Sequence, residues 1–352
     1  KLDYDTKISE NIRKKYKKWV KAEISFSNDN KKYLAKIRLM GDGKDHIVTD
    51  GCWSSFLKDC NPKTSLKVQI LNGTINGIKT FRLFLPNTRN GSNEIFFSLL
   101  LNYIGFTTLK TQYINVDFNI GDMRFNKYKA IFQEDASKEF LERNGFFEAP
   151  IIKFNEYGFY YNNPTKNYQK EYPDILRDRS WILDNKNFLK KSNSEYTVSN
   201  AISLLFTKNK NNIIINEPLF VKILERYGYH ALSTHNRKYI FDSILLKFHP
   251  LFYDGMINYP KLIQNNNSYC ELEFPENIKI KVNKLHNNLY KKTINKFQSE
   301  YLNLSNQRIS SVEKCIFNHV FNMYVDYKNN YEPHNIFSLN PFNNKNNTSN
   351  EV

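Results

Sequence analysis

A change of hydropathy period divides this sequence and constrains its fold more than any other feature. From Ser65 to Ile70 apolar and polar residues alternate, with Leu66, Val68 and Ile70 on one side and Ser65, Lys67 and Gln69 on the other. Successive side chains of an extended chain point to opposite faces, so the pattern predicts a half-buried strand with Lys67 off the core face. Asn72-Gly73 follows as a hairpin-type turn, and Thr80 to Leu85 reads as the next strand. Lys36 to Met40 is a further short strand that runs into the turn signal Gly41-Asp42-Gly43. Gln112 to Phe118 and Lys127 to Gln133 extend the series, joined by a turn around Gly121-Asp122.

Helical signals first break into this series and then replace it. Ser92 or Asn93 caps one helix, Glu94 lies in its first turn, and Gly105 follows its last turn. A short helix from Lys138 to Asn144 stops at Gly145. From about Asp174 helical spacing dominates: Thr197 to Phe206, Pro218 to Tyr227 with Asn216 as cap, Lys281 to Phe297 and Ser310 to Tyr324. A two-strand element, Lys238 to Phe241 and Lys247 to Tyr253, interrupts them. The expectation is an α+β protein, a β-rich half followed by a mainly helical half. The Asn- and Ser-rich tail after about Pro333 is expected to be disordered, and no internal repeat is visible.

Charge bears on partners rather than on fold. The 352 residues carry 51 Lys and Arg against 35 Asp and Glu, a formal charge of +16. Such a balance suits polyanions, whether nucleic acid, nucleotides, anionic glycans or a lipid surface. It is equally what an Asn- and Lys-rich AT-biased coding sequence produces. Basic residues are dispersed apart from Arg13-Lys14-Lys15-Tyr16-Lys17-Lys18, and no zinc-finger or RNA-recognition spacing is present. No stretch approaches the ~18 apolar residues of a membrane span. The start at Lys1 is compatible with an upstream signal or anchor. Cys52, Cys60, Cys270 and Cys315 form no C-x-x-C pair. Cys52 and Cys60 suit either a bridge or two free thiols, which leaves the compartment open.

Several short segments recur in a telling order. They are Ile37-Arg38-Leu39-Met40-Gly41-Asp42 with Asp45-His46, Lys63-Thr64-Ser65-Leu66-Lys67, and Phe81-Arg82-Leu83 leading to Arg89 and Glu94. Gln133-Glu134-Asp135, Phe140-Leu141-Glu142 and Pro150-Ile151-Ile152-Lys153-Phe154 follow. The series closes with His235-Asn236-Arg237-Lys238-Tyr239 and Tyr253-Asp254-Gly255. In this order the segments resemble the CotH (spore-coat protein H) kinase family, in its longer bacterial form, over roughly residues 33 to 260. The resemblance implies an atypical protein-kinase-like bilobal fold. It divides the chain into an extension (1–32), an N-lobe (about 33–135), a C-lobe (about 136–332) and a tail (333–352). Some members of that family phosphorylate secreted or surface proteins, so the resemblance leans towards a cell-envelope or extracytoplasmic setting.

Phosphoryl transfer needs cations on the phosphates, a metal held by oxygen ligands and a group that takes the proton of the nucleophile. By resemblance Lys67 reaches the phosphates of ATP and Glu94 orients it. Arg38 with the backbone of Gly41 to Gly43 covers the phosphates, and Glu134 marks the adenine-binding connection. Asp254 and Asn236 hold Mg2+. Each has a plainer reading: a solvated strand lysine, a helix-dipole glutamate, a hairpin turn, a turn aspartate, a helix-end asparagine. One position departs from the kinase pattern. Five residues before Asn236, where an aspartate is expected, stands Ala231. His230 and His235 are the candidates to accept the proton instead.

Three functions follow as expectations. The first is an ATP/Mg2+-dependent phosphotransferase acting on a protein or a cell-envelope glycan. The second is a pseudokinase that binds nucleotide or a polyanionic partner without turnover. The third is a basic surface protein that binds anionic polymers. A nuclease or nucleotidyltransferase would need clustered carboxylates that the sequence does not display.

Overall fold

The structure is a computed structural model that describes residues 18–27, 29–40, 46–48, 63–117, 119–120, 123–124, 127–147, 149–154, 181–185, 188–189, 194–205, 213–233, 236–257 and 284–331. Its elements in chain order begin with strands β1 (Val20–Phe26), β2 (Asp29–Leu39), β3 (Ile47–Val48), β4 (Lys63–Thr64), β5 (Leu66–Ile70) and β6 (Thr80–Phe84). Helix α1 (Ser92–Tyr103) precedes β7 (Thr107–Thr108), β8 (Thr111–Val116), β9 (Asn119–Ile120), β10 (Met123–Arg124) and β11 (Tyr128–Glu134). Then come α2 (Lys138–Arg143), β12 (Ile151–Phe154), β13 (Trp181–Leu183), α3 (Ser194–Leu205), α4 (Glu217–Tyr227) and α5 (Tyr229–Leu232). The described chain closes with β14 (Lys238–Asp242), β15 (Lys247–Phe252), α6 (Lys284–Ser305) and α7 (Ser311–Tyr331). It divides into two compact units, Lys1–Ser92 with Leu109–Glu148, and Asn93–Thr108 with Ala149–Val352.

The first unit is built on a six-stranded antiparallel sheet in the order β1-β2-β5-β6-β11-β8. The alternation that opened the sequence reading sets its register: Leu66 lies opposite Leu83 and Val68 opposite Phe81. These residues share one face with Tyr33, Ala35, Ile70, Tyr128, Ala130 and Phe132, and together form the core of the unit. Burying each of the Leu, Ile, Val and Phe side chains among them contributes about 1.5–3 kcal/mol. β1 pairs with β2 from Val20 onward, inside the stretch expected to be an extension. Its own alternation of Val20, Ala22, Ile24 and Phe26 with polar neighbours is the signal for it.

The second unit corrects the expectation of a mainly helical half, which holds only in part. Besides helices it contains a five-stranded sheet in the order β13-β12-β14-β15-β7. Only the β14–β15 pair was visible in the sequence. β12 has Ile151 and Ile152 both at 0% exposure, so it is covered on both faces and has no alternation to read. Helix α4 buries Leu219, Phe220, Ile223 and Leu224 along one stripe. α1 packs on α6 through Phe96 and Phe297 (ring centroids 5.3 Å) and through the Tyr103 hydroxyl, which donates to Glu300 (2.7 Å).

Helix ends vary in how far they follow the expected chemistry. Gly105 takes φ +91°, and the Phe106 amide reaches back to the Leu101 carbonyl at 3.0 Å. Asn216 precedes α4 but makes no side-chain capping bond; its backbone adopts φ +54° instead, a region Asn tolerates. α7 begins with a reciprocal capping box between Ser310 and Glu313 and runs to Tyr331, beyond the expected Tyr324. The expected tail after Pro333, the turns at Gly41 to Gly43 and Gly121-Asp122, and the Cys52–Cys60 pair lie outside the described residues.

Candidate functional site

Antiparallel pairing of β14 with β15 places Lys238 opposite Leu251, so the residues just before β14 and just after β15 lie at one end of the pair. Those residues include Asn236 and Asp254. α5 begins at the same place, where Gly228 lies against Gly255: a Cβ on Gly228 would stand 3.7 Å from the Gly255 Cα, an ordinary contact. The Ile257 side chain covers both glycines, 2.7 Å from where either Cβ would be, and the Phe252 ring lies 2.9 Å from that of Gly255, so a larger residue at Gly255 would displace the ring.

Around that contact His230 Nε2 lies 3.8 Å from Asp254 Oδ2. The Asn236 amide donates through Nδ2 to the His230 carbonyl oxygen (3.2 Å), which also accepts from the Ser233 hydroxyl (2.5 Å). Asn236 is buried, whereas the His230 and Asp254 side chains are 33% and 14% exposed. Asp254 has φ +54° and Met256 φ +45°, left-handed backbone that ordinary residues adopt at a cost. Exposed Tyr229 and Met256 each lie one residue from the glycine contact. Of the residues nominated by sequence, the structure therefore brings together His230, Asn236 and Asp254.

Because Asn236 Nδ2 is engaged with the His230 carbonyl, its Oδ1 is the atom left to ligate a cation, and His230 links it to the Asp254 carboxylate through its own side chain. An amide and a carboxylate oxygen form a hard donor set of the kind Mg2+ accepts while keeping several waters. Among the described residues no group of three or more His, Cys, Asp and Glu gathers to hold a metal. Ala231, in place of the expected acid, is 4% exposed inside α5, so a carboxylate there would be buried. His235, Gly41 and Gly43 lie outside the described residues.

In the first unit Lys67 stands directly opposite Arg38 on one side and Arg82 on the other, three cations in a row across β2, β5 and β6. Like charges facing one another across strands repel. Asp135 relieves this by accepting from the Lys67 ammonium and from Arg82 (2.5 Å). The Arg38 Nε is buried without a hydrogen-bond partner, and its guanidinium stacks over Trp19 at 4.9 Å. Lys67 thus has Asp135 as its carboxylate partner. Glu94 is fully buried in the first turn of α1, in the second unit. Glu134 is also buried; burial pushes its carboxyl up against the opposing pull of Arg143, with which it pairs. The Glu134 amide donates to the Lys110 carbonyl (2.9 Å).

A second charged cluster carries no assigned role in the sequence reading. Lys153 and Lys238 face each other across β12 and β14, and Asp184 bridges them at 2.8 and 2.7 Å. Burial works to raise the Asp184 pKa, yet the two ammonium groups outweigh it and hold the carboxyl well below the usual range. The Lys238 ammonium also sits over the Tyr253 ring at 4.2 Å. Three segments that carry the family resemblance, around Lys153, Lys238 and Tyr253, therefore meet at one aspartate. Asp184 itself has no motif around it. Cys315 on α7 is disulfide-bonded.

The chain matches no family model and no curated protein. The CotH resemblance accordingly rests on the ordered segments alone. No helix among the described residues is long and apolar enough to cross a membrane.

Proposed function

We propose that this protein is an ATP/Mg2+-dependent phosphotransferase of the CotH kinase type, with a kinase-like bilobal fold, acting on a protein or a cell-envelope glycan. The observation that carries the reading is the convergence of His230, Asn236 and Asp254 at one end of the β14–β15 pair. Asn236 and Asp254 supply the oxygens for Mg2+, which when bound neutralises charge on the phosphate oxygens. His230 takes the proton of the attacking hydroxyl, the task left open by Ala231. In the first unit, taken by itself, the row of Arg38, Lys67 and Arg82 sets three cations around Asp135, a charge pattern that suits phosphate oxygens.

Buried Ala231 favours a second reading, a pseudokinase that binds nucleotide or another polyanion without turnover. Thermal shift with ATP and ADP, with and without Mg2+, tests what both readings share. A ligand at 100 times its Kd stabilises by about 2.7 kcal/mol, a readable rise in melting temperature. No rise with either nucleotide removes the phosphotransferase and the nucleotide-binding pseudokinase, and leaves only a module for another polyanion. Transfer from labelled ATP then compares the parent with Asp254→Asn, chosen because Asn tolerates the left-handed backbone at this position. Loss of transfer supports the metal assignment, equal transfer sinks it, and binding without transfer in the parent leaves the pseudokinase.

A further inference from the structure

The β14–β15 pair has a second end, away from Asn236 and Asp254, and its tip is built unlike an ordinary hairpin turn. Beyond the last pair, Asp242 opposite Lys247, the chain turns through residues 243–246. Ile244, Leu245 and Leu246 are 78%, 57% and 50% exposed, three large aliphatic side chains in succession facing water. Turns are normally made of Gly, Asn, Asp and Ser. Leu246 moreover holds φ +51°, where glycine or asparagine is the favoured occupant and a leucine is strained. Neither local propensity nor core packing explains these residues.

We propose that this tip inserts into the interface of an anionic lipid bilayer and holds the protein against a membrane surface. Three observations favour lipid over other occupants. First, the feature is the convex end of a strand pair, a shape suited to entering between headgroups. Second, the amides of the tip are satisfied from its base: Asp242 Oδ1 accepts from Ile244 (2.9 Å) and Leu245 (3.0 Å), so the aliphatic side chains can enter the headgroup region while the carboxylate stays on the water side. Third, the chain carries +16 and Lys247 at the base of the tip is exposed, which attracts it to anionic headgroups. Apolar insertion and charge attraction together are what make peripheral membrane binding firm. The proposal does not depend on phosphotransferase activity.

Co-sedimentation of the full chain with vesicles of phosphatidylcholine containing phosphatidylglycerol, against pure phosphatidylcholine, is the direct test. The parent binds the anionic vesicles, and the double variant Ile244→Asp with Leu245→Asp loses about tenfold or more in partitioning. The melting temperature stays unchanged, because both side chains are already in water. In a second variant, Leu245→Trp, the introduced indole shifts its emission to the blue on adding vesicles and is quenched by lipids brominated near the headgroup. The proposal is overturned if the parent ignores anionic vesicles, if the double variant binds as the parent does, or if the indole emission does not move. It is also overturned if the double substitution abolishes self-association of the parent and leaves vesicle binding intact, since the tip would then cover a second copy.

Discussion

Two aspartates in this molecule each hold two cations, and the two clusters behave differently. Asp135 binds Lys67 and Arg82 on the first unit's sheet, with side-chain exposures of 21% and 12% for the cations. Arg38 stands next in the same row, opposite Lys67. Asp184 binds Lys153 and Lys238, and here Lys238 is only 7% exposed with Tyr253 closing its other side. One cluster has a third cation, Arg38, beside it in the row; in the other the Lys238 ammonium is closed in under Tyr253 while Lys153 stays 31% exposed.

Breaking the Asp184 cluster is expected to have the largest effect. Asp184→Asn leaves Lys238 charged and buried, a change that costs about 3–5 kcal/mol when one partner of a buried pair is removed. Urea unfolding of the variant should show that drop, and a loss under 1 kcal/mol would mean the cluster is solvated. Asp135→Asn removes the carboxylate shared by Lys67 and Arg82 and is expected to cost about 1–3 kcal/mol. It should also raise the stabilisation conferred by inorganic tripolyphosphate, since the variant frees Lys67 and Arg82 for an anion. If tripolyphosphate helps the Asp184 variant equally, the contrast between the clusters fails.

Lys67→Met sharpens the same comparison from the cation side. One charge-assisted contact to phosphate is worth about 1.5–3 kcal/mol, so nucleotide affinity should fall about 10- to 100-fold by titration calorimetry. Lys153→Met should leave that affinity unchanged.

Acid separates the contributions more gently. His319 on α7 bonds the Tyr227 hydroxyl; burial, with Arg226 and Lys222 nearby, lowers its pKa to about 4. The unfolded chain therefore takes up a proton near pH 6.5 that the folded chain refuses, and stability falls as pH drops from about 6.5 towards 4. His319→Gln should flatten that slope in melting temperature. The Asp184 contribution is fully present above the ordinary carboxylate range and disappears only at lower pH, as its depressed folded pKa is reached. A single acid transition that ignores the His319 substitution would contradict this order.

How much could be read in advance follows from the same physics. β5 was legible because one of its faces is buried and the other holds Lys67 and Gln69 half-exposed. β12 was not, since Ile151 and Ile152 are both covered. Asp254 announced itself by the glycine after it and the aromatic before it. Asp184 gave no sign, because its partners Lys153 and Lys238 lie far away along the chain and only sheet pairing brings them together. Asp135 stood in plain sight beside Glu134, yet its link to Lys67 depends on the register of β5 with β6.

The close approach of Gly228 to Gly255 has a consequence for how the molecule opens. Residues 228 to 255 contain α5, both strands of the hairpin and the His230–Asp254 pair, so this cluster is assembled from one short span of chain. Contacts of such low sequence separation cost little loop entropy, but β14 and β15 are also held by the distant strands β12 and β7. Amide exchange around His230 should therefore quicken before that in β14 and β15, and a larger side chain at Gly255 should widen the gap.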